Sequence, residues 1–305
     1  MVLPKTYAQL TYPHIYIEID SIWQFQNLQL VPIRYKNQVN KLLALPTQQT
    51  VIGLAEAIKK GKIEIKEFYY NGDANVKLLQ LKNRSNQYIM LNSGDIIAGG
   101  KQDRMLAESK LLAPKASDEF IDVYCVEKGR WSNKNKSFTY VGNADEMLRR
   151  IMDSTNSQHW IWTEIENRLP DANKLTTTWP YTQAYQKHNK AILPYLQFFA
   201  GKWQHSDSTF AGFIALGADS SILSCEVFAA PSLTLAAFPQ LIAGWAQSVV
   251  TKNIVQPRFV STTRVMHFAN AFLASYEQQK AYLQKRGKAY FYQNQLFHLV
   301  VHGYK

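Results

Sequence analysis

The sequence predicts an α+β fold. Its N-terminal half is rich in antiparallel strands, sandwich-like or rolled into a curved sheet, and its C-terminal half carries helices and a further strand pair. Three observations predict it. Up to residue 127, short runs alternate apolar and polar positions, the period of a half-buried strand. Turn-forming clusters interrupt these runs at close intervals: Asn71-Gly72-Asp73, Asn83-Arg84-Ser85-Asn86 and Pro114. Beyond Asn143 the apolar period lengthens to that of a helix.

Residues 14–19 (HIYIEI) and 28–33 (LQLVPI) read as strands, with Pro32 placing the second at an edge or a bulge. In 50–60 (TVIGLAEAIKK), Val51, Leu54, Ala55 and Ile58 share one helical face, closed by Gly61. Strands follow over 63–68, 76–82, 88–97, 105–112 and 120–127. Residues 144–152 and 158–169 read as helices and 170–181 as a loop. A helix over 183–199 is expected to break or kink at Pro194. A strand pair, 210–216 and 222–228, precedes a helix over 238–250 with Pro239 in its first turn. A helix over 266–285 and a hairpin, 288–293 with 295–302 around Asn294, close the chain. No repeat, low-complexity tract or flexible linker is present. A β-rich part, 1–140, and a helical α+β part, 141–305, are therefore expected to pack as one integrated body.

Composition excludes several classes. Hydrophobic residues make up 46% and aromatics 13%, too many for a disordered chain. No apolar run approaches the roughly 20 residues of a membrane span, and the N-terminus has no secretory pattern, so a cytoplasmic protein without a membrane partner is expected. The two cysteines, Cys125 and Cys225, form no disulfide framework and read as buried thiols. The net charge is +11, and from residue 251 onward eight Lys and Arg face a single acid, Glu277. That asymmetry favours an anionic partner, a phosphate-bearing ligand or nucleic acid.

Chemistry concentrates in residues 91–131. A Gly-rich turn (Gly94, Gly99, Gly100) leads into Lys101-Gln102-Asp103-Arg104, and the stretch ends in Cys125-Val126-Glu127-Lys128-Gly129-Arg130-Trp131. Gly99 and Gly100 let backbone amides approach an anion closely. Lys101 and Arg104 then grip phosphate or carboxylate, and Gln102 reads a hydroxyl or a base edge. Glu127 is the candidate base or ribose anchor, with Asp95 as a second catalytic carboxylate; Arg130 and Trp131 supply a further cation and a stacking ring. The same residues also suit a structural turn, with a Glu–Arg pair under a Trp lid. The seven histidines are scattered, and no metal-ligand spacing, phosphate-binding loop, dinucleotide fingerprint or nucleophile elbow occurs. No metal site is expected, and no cofactor is named by any motif.

This arrangement resembles a bacterial and archaeal family, the ADP-ribosylglycohydrolase and rhodanese-phosphatase-superfamily-associated domain, a domain of unknown function. Gly94-Asp95, Gly99, the 101–104 run and the 125–131 tail carry the resemblance. Gln158-x-x-Ile161-Trp162, the strand pair from Phe210 to Phe228 and the Trp245 helix extend it over about residues 45–250. The chain departs from the family pattern at Asp95, usually Glu, and at Asp103, usually Asn; the shorter acid retracts its carboxylate by one methylene. The resemblance implies an association with ADP-ribose or nucleotide-derivative metabolism. Three readings stay open: a binder of a nucleotide-like ligand at 94–131 that hydrolyses it or only holds it, a non-enzymatic structural module, and a nucleic-acid binder using the basic, aromatic-rich C-terminal region.

Overall fold

The alternating runs form strands, and turns cut the longer ones in two. The computed structural model describes residues 10–36, 50–70, 73–129, 137–168, 179–204, 209–250, 252, 254 and 256–304. The chain begins with β1 (Ile15–Ile17), β2 (Trp23–Phe25) and β3 (Leu28–Tyr35), then β4 (Val51–Gly53) running directly into α1 (Leu54–Lys59). Next come β5 (Ile63–Tyr70), β6 (Asp73–Asn83), β7 (Tyr88–Leu91), β8 (Asp95–Ala98), β9 (Arg104–Leu106) and β10 (Lys110–Leu112). They are followed by β11 (Glu119–Cys125), β12 (Glu127–Lys128), β13 (Thr139–Asn143), α2 (Glu146–Thr155) and α3 (Gln158–Arg168). The remainder is β14 (Trp179–Pro180), α4 (Tyr181–Gln204), β15 (Phe210–Gly217), β16 (Ser221–Phe228), α5 (Pro231–Val250), α6 (Thr262–Leu273), α7 (Tyr276–Arg286), β17 (Gly287–Tyr292) and β18 (Gln295–His302). The protein is α+β with mostly antiparallel sheets and a strand-rich N-terminal half.

The chain divides into two compact units. The first contains residues 1–48, 201–235 and 253–305; the second contains 49–200 and 236–252. In the first, a seven-stranded sheet runs β1-β3-β15-β16-β18-β17, with β2 also paired to β3. Pro32 sits inside this sheet and not at its edge. Its carbonyl accepts from Glu18 N at 2.9 Å, so its missing N–H faces the gap where the pairing of β3 passes from β2 to β1. The hairpin β17–β18 turns at Gln293 and Asn294, both at positive φ (48° and 62°), as expected of a two-residue turn. The helix expected over 266–285 is two helices, because Ser275 accepts a bond from Gln278 N at 3.3 Å and caps α7.

The second unit holds the 91–131 stretch. A six-stranded sheet runs β13-β8-β9-β11-β6-β5, and a three-stranded one runs β10-β7-β4. The expected strands 88–97 and 105–112 each contribute to both sheets, because the chain turns at Gly94 (φ +83°) and again between Leu106 and Lys110. Leu79, Leu81, Ile97, Leu106, Ile121 and Val123 form the apolar core with Leu54 and Ala57 of α1. Pro194 does not break α4; Pro194 and Lys190, whose carbonyl loses its helical donor, are both exposed, so water can satisfy that carbonyl. Helix α5 starts at Pro231, seven residues earlier than expected, and that proline takes the first-turn position assigned to Pro239. At 20 residues α5 is long and apolar enough to span a bilayer, and 78% of its most apolar window is buried inside the protein.

Two glycines test the helix packing. A Cβ on Gly244 would lie 2.6 Å from the Ala144 carbonyl oxygen, whereas one on Gly201 would meet nothing within 4 Å. Gly244→Ala should cost about 1–3 kcal/mol in urea unfolding, and Gly201→Ala should add about 0.5–1 kcal/mol.

Candidate functional site

The site begins with an acid on the wrong face of a strand. Ile63, Ile65 and Glu67 point to the same side of β5, and both isoleucines join the core. On β9, Arg104 and Leu106 likewise share the core face. Two strands, β11 and β6, separate β9 from β5, which would put about 14 Å between them in a flat sheet. Arg104 nevertheless reaches Glu67 at 3.5 Å, so the sheet curls and the two charges meet at one end of the roll. Arg104 is fully buried, and its Nε has no partner among the described residues. One guanidinium nitrogen contacts both Glu67 oxygens at 3.5 Å and the other contacts Gln102 Oε1 at 3.5 Å, all at the long limit of a hydrogen bond.

The Gly99–Gly100 turn closes over this pair. Both glycines have positive φ (140° and 53°), and a side chain at Gly100 would collide with Glu67 and the Phe138 ring. Lys101 N donates to Glu67 Oε1 at 2.8 Å, while its ammonium lies 5.4 Å from the Tyr69 ring centre. Gln102 donates to the Glu127 carbonyl at 2.9 Å, and the Glu127 carboxylate accepts from Asp103 N at 3.4 Å. Asp103 accepts from Gly99 N at 3.1 Å and from the Thr182 hydroxyl at 2.8 Å. Cys125 pairs in register with Arg104, which places Arg104 and Glu127 at the same end of the sheet. The Gln158 side chain clamps the Cys125 backbone, accepting from its N–H at 2.8 Å and donating to its carbonyl at 2.7 Å. Burial raises the Cys125 thiol pKa; the Arg104 charge opposes this and Glu67 reinforces it.

Asp95 belongs to a different cluster. It lies two residues along β8 from Ile97, the partner of Arg104, or about 7 Å along the strand. Fully buried, it accepts from Asn92 N at 2.9 Å, Tyr140 Oη at 3.0 Å and Asn143 Nδ2 at 3.1 Å. Desolvation raises its pKa to about 7, against the lowering effect of these bonds and of the nearby Arg149 charge.

The structure thus brings Gly99, Gly100, Lys101, Gln102, Arg104 and Glu127 together and sets Asp95 apart. Arg130, Trp131, the Asn71-Gly72 turn and most of the expected 170–181 loop lie outside the described residues. Among the described residues no cluster of three or more His, Cys, Asp or Glu is arranged to hold a metal. Sequence reasoning missed Glu67 and Thr182, and it placed Gln158 in the family resemblance without a contact. Glu67 was detectable as an acid two and four residues beyond Ile65 and Ile63, on the face that alternation assigns to the core. Thr182 carried no such signal, and nothing local tied Gln158 to Cys125, since these contacts span 79 and 33 residues.

A curved antiparallel sheet with a buried polar motif at its end, inside a two-unit α+β chain, defines the class of this protein. The chain belongs to the ARG and Rhodanese-Phosphatase-superfamily-associated Protein domain family, whose model matches residues 16–299. The match extends well beyond the expected 45–250 and takes in nearly the whole basic C-terminal region. Compared with the curated proteins and with the solved structures, the chain shows no match in either.

The Asp95 cluster generates a pH prediction. Its folded pKa, about 7, lies above the unfolded value near 4, so the native state binds the extra proton between these limits. Stability contributed by the protonated acid is complete at about pH 4 and is lost as pH rises to about 7. Asp95→Asn should remove that slope. Unfolding free energies from urea titrations across the window should fall for the wild type by about 1.4 kcal/mol per pH unit more than for the variant.

Proposed function

We propose that the second unit binds a small phosphate-bearing, nucleotide-like ligand at the end of its rolled sheet, with Arg104 as the anchor. One observation carries this reading: Glu67 already occupies the seat of an oxyanion. Its carboxylate takes a turn amide from Lys101 and both contacts of one Arg104 nitrogen, the donor set a phosphate oxygen recruits. The guanidinium holds Glu67 only at 3.5 Å and its Nε has no partner among the described residues, so an incoming anion gains a further donor and competes with the Glu67 carboxylate for the rest. In this reading Lys101 and Gln102 flank the anion, and Glu127 anchors a ribose hydroxyl or acts as base. The family's association with ARG and rhodanese-phosphatase proteins supports an ADP-ribose or nucleotide derivative as the ligand.

A second reading rests on a separate observation. Gln102, Asp103 and Glu127 are all buried and each is bonded to backbone, an arrangement that also braces the sheet with no ligand.

Thermal shifts separate the two. The panel comprises ADP-ribose, NAD, ATP, AMP and ribose phosphates on wild type, Arg104→Lys and Glu67→Gln. A ligand at 100 times its Kd should stabilise the wild type by about 2.7 kcal/mol. Arg104→Lys, which keeps the charge and loses the planar fork, should weaken that response at least tenfold in affinity. Glu67→Gln, which removes the resident anion, should strengthen it. No response from any ligand, together with early melting of Arg104→Lys, would overturn binding in favour of the brace.

A further inference from the structure

The first unit carries a second cationic feature, built from residues of its own and different in chemistry from the Arg104 cluster. Helix α6 presents Arg264 in its first turn and α7 presents Arg286 in its last. Both guanidiniums pack on one ring, Tyr304, at 5.4 Å and 5.3 Å from its centre. Two like charges held on one ring repel, and a carboxylate between them would normally relieve the repulsion. None does: among the described residues neither arginine forms an ion pair, and the single acid of α7, Glu277, lies at its opposite end.

Backbone bonds bring a third arginine to the same end of the sheet. Ile222 N donates to the Tyr304 carbonyl at 3.2 Å, and Ser220 N, two residues earlier, donates to the Arg258 carbonyl at 2.8 Å. The neighbouring acid, Asp219, accepts a hydrogen bond from the Ser221 hydroxyl. Lys280 and Lys285 are exposed on α7, and Lys288 follows on β17, again without a carboxylate partner among the described residues. Aromatic rings accompany the charge: Tyr282 and Tyr304, both half-buried, stand against Phe268 beside the arginines.

From this geometry we infer that the α6–α7 face with Tyr304 is a docking surface for single-stranded nucleic acid. Arg258, Arg264, Arg286 and the α7 lysines follow the phosphodiester backbone, and the guanidinium planes and the half-buried Tyr282 and Tyr304 rings stack on bases. An anionic membrane fits less well, because the exposed face of α7 is mainly polar (Glu277, Lys280, Gln284, Lys285) and its exposed apolar residue, Ala281, is too small to anchor in a bilayer. The inference uses first-unit residues only and stands or falls apart from the ligand reading of the second unit.

The test is fluorescence anisotropy with a labelled 20-nucleotide RNA and the matching DNA, titrated with the full chain from 50 to 300 mM salt. Steep salt dependence is expected. The double variant Arg264→Gln/Arg286→Gln should bind on the order of tenfold more weakly and lower the log–log salt slope by about 1.4, two phosphate contacts at 0.7 each. A control that removes two exposed lysines of the second unit, Lys59→Gln/Lys77→Gln, should change neither. The inference is overturned if no oligonucleotide binds at 50 mM salt, or if both double variants lose affinity equally. Phosphatidylserine vesicles retaining the protein while RNA and DNA do not would overturn it in favour of a membrane.

Discussion

A guanidinium enclosed in an apolar core dictates most of what the second unit does. Removing Arg104 from water costs several kcal/mol by general electrostatic reasoning, about as much as the stability of a whole domain can spare. The chain compensates by bringing in an acid from β5, three positions across the sheet. Only a curled sheet makes that encounter possible, and only a turn with two glycines at positive φ can fold over the pair without striking Glu67. Curvature, turn and register are thus consequences of one buried charge. The Gln158 clamp on Cys125 fixes the strand next to Arg104 and keeps that register from slipping.

The two polar clusters are joined through the start of α4. Tyr181 N donates to the Val126 carbonyl, and Tyr181 Oη bonds the Asp145 carboxylate, which also caps α2. The next residue, Thr182, bonds Asp103 in the Arg104 cluster. Asn143, two residues before Asp145, bonds Asp95. A short segment therefore fixes both clusters at once, and β14 immediately before it pairs with β12 at Glu127. The clusters differ in what they ask of a proton. Asp95 has three donors and a pKa raised to about 7, so it sits near the balance between its two forms. Glu67 and Glu127 receive backbone amides in a turn that a single arginine dominates.

Local patterns carried most of the fold. Alternation located the strands, the Gln293-Asn294 turn followed from its position between two alternating runs, and Gly61 at φ +63° ends α1 as its residue type demands. What local patterns could not carry was the partition of strands between sheets. Residues 88–97 read as one strand, yet the Asn92-Ser93-Gly94-Asp95 run inside them is turn-forming, and the chain turns at Gly94, where Arg149 packs against the position a side chain would take. Proline rules failed where tertiary context changed the cost: Pro32 falls in a gap between pairing partners and Pro194 faces solvent. The candidate site was legible as a motif, since Lys101 to Arg104 and Glu127 do converge, but not as a constellation. Its central acceptor, Glu67, comes from 34 residues earlier, and Asp95, close to Arg104 in sequence, belongs elsewhere.

Stability by itself does not account for the form of the Arg104 cluster. A buried ion pair repays its desolvation only with short, well-aligned bonds and every remaining donor satisfied; otherwise apolar residues of similar volume do as well or better. Arg104 meets neither condition, with contacts at 3.5 Å and an Nε left over among the described residues. By contrast Arg34, in the first unit, bonds Glu18 at 2.6 Å and Thr209 at 2.8 Å and lies 4.2 Å from the Phe210 ring centre. The chain can therefore hold an arginine by short, well-aligned bonds. Arg104 is held more loosely than Arg34, beside a turn whose amide already points at a carboxylate, and it is on this difference that the proposed ligand reading rests.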